Sequence, residues 1–276
     1  MQIRFTTSPK ETAAMNTQEL RSNFLVENLM VDDEVKLVYS HYDRVIIGGA
    51  KPVNKVLELS AHSELKADYF LERREIGIIN IGGAGIVGAD DESFSLNKLD
   101  CVYLGKGIRK VSFKADDPSV PAVFYFLSVP AHATHSNHLM KKEEASPVTI
   151  GDTKTANHRT IYKYIHADGI KSCQLVMGLT VLGVGSVWNT MPAHTHTRRT
   201  EMYFYFEVAA EHRVIHLMGQ PQETRHLIVA NHEAVISPPW SIHAGCGTSN
   251  YSFIWAMAGE NYNYTDMDAV AIRELK

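Results

Sequence analysis

The sequence predicts an all-β protein built as two tandem barrels, with the chemistry in the C-terminal one. Short runs rich in β-branched and aromatic residues recur along almost the whole chain. Most are separated by Gly, Asp, Asn or Pro, the cadence of a sandwich or barrel. The halves also share a rhythm. Glu72-Arg-Arg-Glu-Ile-Gly-Ile-Ile-Asn-Ile-Gly-Gly, then Asp100-Cys-Val-Tyr-Leu-Gly-Lys-Gly, is echoed by the stretch from Glu201 to Met218-Gly, then Glu233-Ala-Val-Ile-Ser-Pro-Pro-Trp. At 276 residues there is room for two such domains, expected at 1–135 (metal-free) and 136–276 (metal-binding).

Residues 1–35 are polar and mixed, with one helical stretch over 17–30 that carries Leu20, Phe24, Leu25 and Leu29. Strands are expected at 35–41, 44–47, 55–59, 69–71, 76–81, 93–96, 101–104 and 122–127. Residues 128–170 change character. His132, His135 and His138 recur every third residue without a neighbouring carboxylate, and Lys141-Lys-Glu-Glu144 follows, so the segment reads as an exposed connector. A second run of strands is expected at 174–180, 185–190, 201–207, 213–218, 226–229, 234–236 and 252–257, with a short closing segment at 266–276. Gly83-Ala-Gly-Ile-Val-Gly88 matches G-x-G-x-x-G. The following Ala-Asp-Asp-Glu-Ser-Phe-Ser opens no helix for a pyrophosphate, so these glycines are read as a β-turn.

Composition narrows the function classes. A formal net charge of −4 with no basic stripe gives nucleic-acid binding little support. The three cysteines, Cys101, Cys173 and Cys246, are widely spaced and odd in number, which suits a reducing compartment and small core hydrophobes. No apolar run approaches the ~20 residues of a membrane span, and the N-terminus lacks a signal-peptide core, so a cytoplasmic location is expected.

The chemistry concentrates in Pro192-Ala-His-Thr-His-Thr-Arg-Arg-Thr-Glu201 and Pro238-Pro-Trp-Ser-Ile-His243. Three imidazoles and a carboxylate, His194, His196, Glu201 and His243, form a shell suited to zinc, iron, manganese or nickel. In a strand, His194 and His196 face one side, whereas Glu201 lies an odd number of residues from both. Thr197-Arg-Arg-Thr200 must therefore turn or bulge the chain. On the next strand Glu201, Tyr203 and Tyr205 share one face, and Met202, Phe204 and Phe206 share the other. A hairpin with ligands on both arms, closed by a distant His, suits a barrel mouth.

Nearby residues supply further candidates. Arg198 and Arg199 in the ligand turn, and Gln222 and Arg225 in Gly219-Gln-Pro-Gln-Glu-Thr-Arg-His226, are candidate contacts for a carboxylate or hydroxyl. Glu223 and Tyr203 are candidate proton-moving groups, as is Glu201 if it shifts. Solvated roles, or pairing of the arginines with Glu72 or Glu75, stand beside these readings.

These residues resemble those of a known family, 5-dehydro-4-deoxy-D-glucuronate isomerase (5-keto-4-deoxyuronate isomerase) of bacterial pectin and uronate breakdown. The resemblance rests on Val38-Tyr-Ser-His-Tyr-Asp-Arg-Val-Ile-Ile-Gly-Gly49, Tyr69-Phe-Leu-Glu-Arg-Arg-Glu75, Asn80-Ile-Gly-Gly-Ala-Gly85, Tyr103-Leu-Gly-Lys-Gly107 and Ser146-Pro-Val-Thr-Ile-Gly-Asp152. It continues through Trp188-Asn-Thr-Met-Pro-Ala-His-Thr-His-Thr-Arg-Arg199, Met218-Gly-Gln-Pro-Gln-Glu-Thr-Arg-His226, Ser237-Pro-Pro-Trp-Ser-Ile-His243 and Phe253-Ile-Trp-Ala-Met-Ala-Gly-Glu-Asn261.

The resemblance implies a bicupin, with one zinc per subunit on His194, His196, Glu201 and His243, and a homohexamer. It also implies aldose–ketose isomerisation of 4-deoxy-L-threo-5-hexosulose uronate to 3-deoxy-D-glycero-2,5-hexodiulosonate. Trp240 stands where the general cupin pattern has Gly, so an aromatic wall is expected in the substrate pocket. A cupin-type iron dioxygenase and a non-catalytic sugar-binding cupin would keep the same shell or barrel.

Overall fold

The computed structural model describes residues 1–260, 262 and 266–276. Asn261, the end of the last resembling segment, lies outside the described residues. Two compact units emerge. The first gathers Met1–Arg4, Asn28–Ser146 and Lys163–Met177, and the second Phe5–Glu27, Pro147–Tyr162 and Gly178–Lys276. Neither is contiguous, in contrast to the expected division into 1–135 and 136–276.

Each unit has a seven-stranded and a four-stranded sheet laid out in the same order. In the first, Ile46–Ala50, Phe124–Pro130, Arg74–Asn80 and Cys101–Leu104 lie side by side at the centre of the larger sheet. In the second, Val176–Leu182, Ser252–Gly259, Arg199–Phe206 and Ala234–Ser237 take the same places. The smaller sheets run Leu57–Glu58, Val111–Ala115, Gly85–Ala89, Glu92–Leu96 and, correspondingly, Trp188–Asn189, Ala244–Gly247, Val214–Gln220, Glu223–Val229.

The ladders align the repeat residue by residue. Arg74 pairs with Pro130 and Arg199 with Gly259 at the ends of equivalent ladders; Ile76 pairs with Leu104 and Glu201 with Ser237. Ile76 thus occupies the first unit's counterpart of the Glu201 position. It belongs to an apolar core with Ile46, Ile78, Val87, Phe113, Phe124 and Phe126. The Phe113 and Phe126 rings stack there at 5.6 Å. Burying each of these side chains favours folding by about 1.5–3 kcal/mol.

Several sequence expectations are corrected. The helix expected over 17–30 is Thr17–Phe24, begun by an Asn16/Glu19 capping box and ended where Leu25–Val26 pairs with Ala234–Val235. The connector contains strands His138–Met140, Val148–Ile150 and Arg159–Ile165. Polar faces disguised them, although Arg159-Thr-Ile-Tyr-Lys-Tyr-Ile165 alternates as a strand should. Residues 69–71 form a turn, not a strand, while Gly85–Ala89 is a strand, so the Gly-rich motif meets no helix.

Glu75, weighed as a partner for the second half's arginines, lies fully buried in the first unit. Its carboxylate accepts from the Cys173, Gln174 and Leu175 amides at 2.8, 3.0 and 3.0 Å and from the Tyr103 hydroxyl at 2.8 Å. Glu75→Ala strands four donors and is expected to lower stability by about 3–5 kcal/mol. Urea unfolding would check this; a loss under about 1 kcal/mol contradicts the assignment.

Candidate metal centre

The four expected ligands converge in the second unit. His194 Nε2 lies 3.1 Å from His196 Nε2 and 3.0 Å from His243 Nε2. Glu201 Oε2 lies 3.1 Å from His196 Nε2 and 2.9 Å from His243 Nε2. All four donor atoms fall within 4.8 Å of one another, and three of the four residues are buried. Donors on bonds of about 2.0–2.1 Å stand ~3 Å apart when neighbouring bonds are near a right angle, so the spacing fits a transition-metal ion.

Hydrogen bonding alone does not satisfy this arrangement. Glu201 Oε2 can accept from His196 and His243, but those nitrogens then have no proton or lone pair left for His194 Nε2. A cation at the centre uses all four lone pairs at once.

The fold explains the convergence. His194–Thr195 pairs with Asp268–Ala269, and Ala193, Ile242, Ala244 and Val270 form a small apolar cluster beneath the ligand segments. The expected closing segment thereby clamps the His-x-His arm. Glu201, Tyr203 and Tyr205 lie on the next strand, all buried.

Outer partners hold the rings. Ser237 Oγ lies 3.2 Å from His243 Nδ1, while His196 Nδ1 makes no hydrogen bond among the described residues and has Asp266 Oδ1 3.4 Å away as its nearby charge. Such contacts orient the opposite nitrogen toward an ion. Burial, then the neighbouring His243, pushes His194 down to about 3, so it is neutral and ligand-ready at neutral pH. Burial alone would raise Glu201, but His243 and His196 outweigh it and hold the carboxylate well below its ordinary range.

The expected substrate contacts fare differently. Arg199 is 1% exposed and binds Asp266 at 2.6 Å, so it braces the centre from within. Arg198 is exposed and pairs with Glu260 at 2.6 Å. Arg225 donates to the carbonyls of Ala13 and Met15 at 2.7 and 2.5 Å, capping the end of helix Pro9–Ala14. Gln222 reaches the Glu274 carbonyl at 3.1 Å, and Glu223 is exposed at the start of the edge strand. Trp240 meets Phe24 edge-on, with ring centroids 6.3 Å apart.

Of the proton-moving candidates, Glu201 is itself a ligand and Tyr203 adjoins the cluster, its ring 5.3 Å from His243. Its hydroxyl meets Thr190 Oγ1 at 2.8 Å. Burial, then the Glu201 charge, pushes it well above the ordinary phenol range, so it is a donor rather than a base.

Sequence reasoning missed the rest of the polar interior. His216 is fully buried, with Nδ1 2.7 Å from the Tyr205 hydroxyl and the Tyr203 ring 5.6 Å away. Asn189 Nδ2 donates to the Tyr251 hydroxyl at 2.6 Å, and that hydroxyl donates to the Val187 carbonyl at 3.2 Å. A Cβ on Gly245 would stand 2.6 Å from Asn189 Nδ2 and 3.0 Å from the Tyr205 oxygen, so only glycine leaves this network room. Among the described residues, His216 Nε2 and Asn189 Oδ1 have no hydrogen-bond partner. Half-buried Arg159 donates to the Asn157 carbonyl at 2.8 Å and lies within electrostatic reach of the uncharged Tyr203 and Tyr251 phenols. The only available signal was inward parity on Val214–Gln220, where Val214, His216 and Met218 are all buried.

A family model described as the KduI/IolB family matches residues 24–272. A 4-deoxy-L-threo-5-hexosulose-uronate ketol-isomerase from Shouchella clausii (strain KSM-K16) is 54% identical over 276 residues, covering 100% of both chains. A protein of Enterococcus faecalis (strain ATCC 700802 / V583), 4-deoxy-L-threo-5-hexosulose-uronate ketol-isomerase 2, is 51% identical over the same full length. Among solved structures, an IolB-like protein from Salmonella typhimurium LT2 superposes with a TM-score of 0.70 at 15% identity, covering 90% of this chain and 97% of that one. The Bacillus subtilis oxalate decarboxylase, studied for its Mn(II) centres, gives 0.56 at 11% identity, covering 82% and 71%. These likenesses place the fold among the cupins.

Proposed function

The chain belongs to the KduI/IolB family, and from that premise we propose that it is a 4-deoxy-L-threo-5-hexosulose-uronate ketol-isomerase of uronate and pectin breakdown. The observation that carries this is full-length identity of 54% to a protein of that name. The interior agrees with the chemistry such a reaction needs.

His194, His196, Glu201 and His243 would hold the ion, and we assign zinc, one per chain, because moving a proton between adjacent carbons requires no redox change. When bound, such an ion supplies Lewis-acid stabilisation of a developing oxyanion. The protein groups do the rest. With the protonated Tyr205 phenol assigned as donor to His216 Nδ1, the imidazole proton sits on Nε2. Nε2–H and Asn189 Oδ1 then offer a donor and an acceptor to the carbonyl and hydroxyl that exchange places. Tyr203 donates beside the ligands, and the aromatic walls of Tyr203, Tyr251 and Phe253 exclude water.

Arg159 is the anchor this reading assigns to the uronate carboxylate. Arg159→Met is expected to raise KM about 10–100-fold with little change in kcat, since one charge-assisted hydrogen bond contributes about 1.5–3 kcal/mol. An unchanged KM in steady-state kinetics would remove Arg159 from the role.

The deciding experiment follows isomerisation of the hexosulose uronate by NMR, with metal analysis of the same sample, in air and without oxygen. Turnover should persist anaerobically; a strict oxygen requirement overturns the proposal. The reading extends to a cytoplasmic homohexamer. Light scattering should return six copies of the 30.9 kDa chain, and a monomer would refute that part.

A further inference from the structure

In the first unit, two sequence segments that isomerisation leaves without a task meet at one cavity. They are Ser40-His-Tyr-Asp-Arg44 and Glu72-Arg-Arg-Glu75. The cavity has a volume of about 250 Å³, and its lining includes Tyr39, Arg44, Glu64, Phe70, Arg73 and Arg74.

Arg74 is 7% exposed. Its Nε donates to Ser128 Oγ at 3.1 Å, and its Nη2 to the carbonyls of Ser128 and Arg44 at 2.8 and 2.6 Å. Every one of these acceptors is neutral, and among the described residues no carboxylate pairs with it. Arg199, at the same ladder position of the second unit, has Asp266. A buried cation without a counter-charge is costly, so its retention calls for a reason. Burial draws the Arg74 guanidinium down to about 10, which still leaves it charged at neutral pH.

The neighbouring charges do not supply the missing anion. Arg73 pairs with Glu72 at 3.2 Å and also donates to the carbonyls of Leu65 and Lys66. Glu64 also lines the cavity as a carboxylate, hydrogen-bonded by His62 at 2.6 Å and Ser63 at 3.1 Å, and its one negative charge leaves the Arg44 and Arg74 pair in net positive excess. The turn that presents Arg44 is unusual too: Asp43 and Arg44 are both left-handed, with φ of 46° and 54°. Arg74 fixes that turn through the Arg44 carbonyl.

We propose that this cavity is a binding site for a small oxyanion, a carboxylate or phosphate group bridging Arg74 and Arg44. With Nε and Nη2 of Arg74 already bonded, such a group would take hydrogen bonds from Arg74 Nη1 and the Arg44 guanidinium. The volume lies below the ~300–1,000 Å³ of pockets for larger ligands, which limits the occupant to inorganic phosphate or a single sugar acid. The site is separate from the ligand cluster and stands independently of the isomerase assignment.

The test titrates the intact protein with inorganic phosphate and, separately, with D-glucuronate, using calorimetry. One saturable site per chain is expected with a Kd of about 1 mM or tighter. Arg44→Gln should weaken it at least tenfold and Arg74→Gln should abolish it, with metal content and turnover unchanged in Arg44→Gln. If Arg74→Gln does not fold, Arg44→Gln alone decides. Binding of phosphate only, or of glucuronate only, identifies the group accepted. Absence of binding by both up to about 10 mM overturns the proposal. So does a signal that Arg44→Gln leaves unchanged, which for glucuronate would belong to the second unit.

Discussion

His243→Ala is expected to lose bound metal and turnover together, with kcat/KM falling by at least about 10³-fold. Three features make the effect large. The four donors stand as a closed ring at 2.9–3.1 Å, so removing one leaves no nearby substitute. His243 also touches both His194 and Glu201, and its loss leaves Glu201 a buried carboxylate with only His196 as its hydrogen-bond partner. Stabilising a developing oxyanion through a bound ion contributes several kcal/mol, each 1.36 kcal/mol being a factor of ten.

Two measurements separate this from misfolding. Circular dichroism of the variant should match the parent, because His243 lies outside every strand and its substitution removes no strand pairing. Metal analysis should show the ion missing. Turnover that survives in a demonstrably metal-free variant would refute the metal-dependent reading.

Much of this centre was legible in the sequence because short-range parity determines it. Glu201, Tyr203 and Tyr205 on one strand face follow from a period of two, whereas His194 lies in the short strand His194–Thr195 and His196 just beyond its end. Thr197 and Arg198 form the turn that the odd spacing required, but the expected hairpin is not formed: His194–Thr195 pairs with Asp268–Ala269, and Arg199–Phe206 pairs with Ala234–Ser237 and Ser252–Gly259. Other features were hidden because they depend on register between distant strands. Arg199 and Arg225 looked like free anion clamps until Asp266, 67 residues on, and the Ala13 and Met15 carbonyls, more than 200 residues back, claimed them. His216, Asn189 and Arg159 come from three separate strands, and no local pattern marks them as neighbours. The repeat was audible only as rhythm; the ladders were needed to show that Ile76, not Glu72 or Glu75, takes the Glu201 position.

His216→Leu is expected to keep its metal and lose about 10²–10³-fold in kcat, the usual cost of removing one preorganised donor from a developing oxyanion. The reasoning rests on its tautomer. Burial pushes His216 down to about 3, so at neutral pH the imidazole carries one proton. Burial keeps the Tyr205 phenol protonated; with its hydroxyl assigned as donor to Nδ1 at 2.7 Å, the imidazole proton sits on Nε2. A neutral imidazole of this kind gives and recovers a proton at oxygen without ever becoming a trapped cation. Because its folded pKa lies below the ordinary value of about 6.5, the neutral form and its stabilising contribution persist above that value. In the folded protein the neutral form persists down to about 3, while the stabilising contribution declines progressively as pH falls from about 6.5 to about 3. His216 therefore adds no titration to the kcat profile between pH 6 and 9. Tyr205→Phe removes the tautomer lock while leaving the ring in place, and a smaller loss of about tenfold in kcat is expected, with KM steady. A structural role alone would lower thermal stability without this graded kcat effect. If His216→Leu holds its metal and its kcat stays within about threefold of the parent, the proton at Nε2 has no part in the reaction.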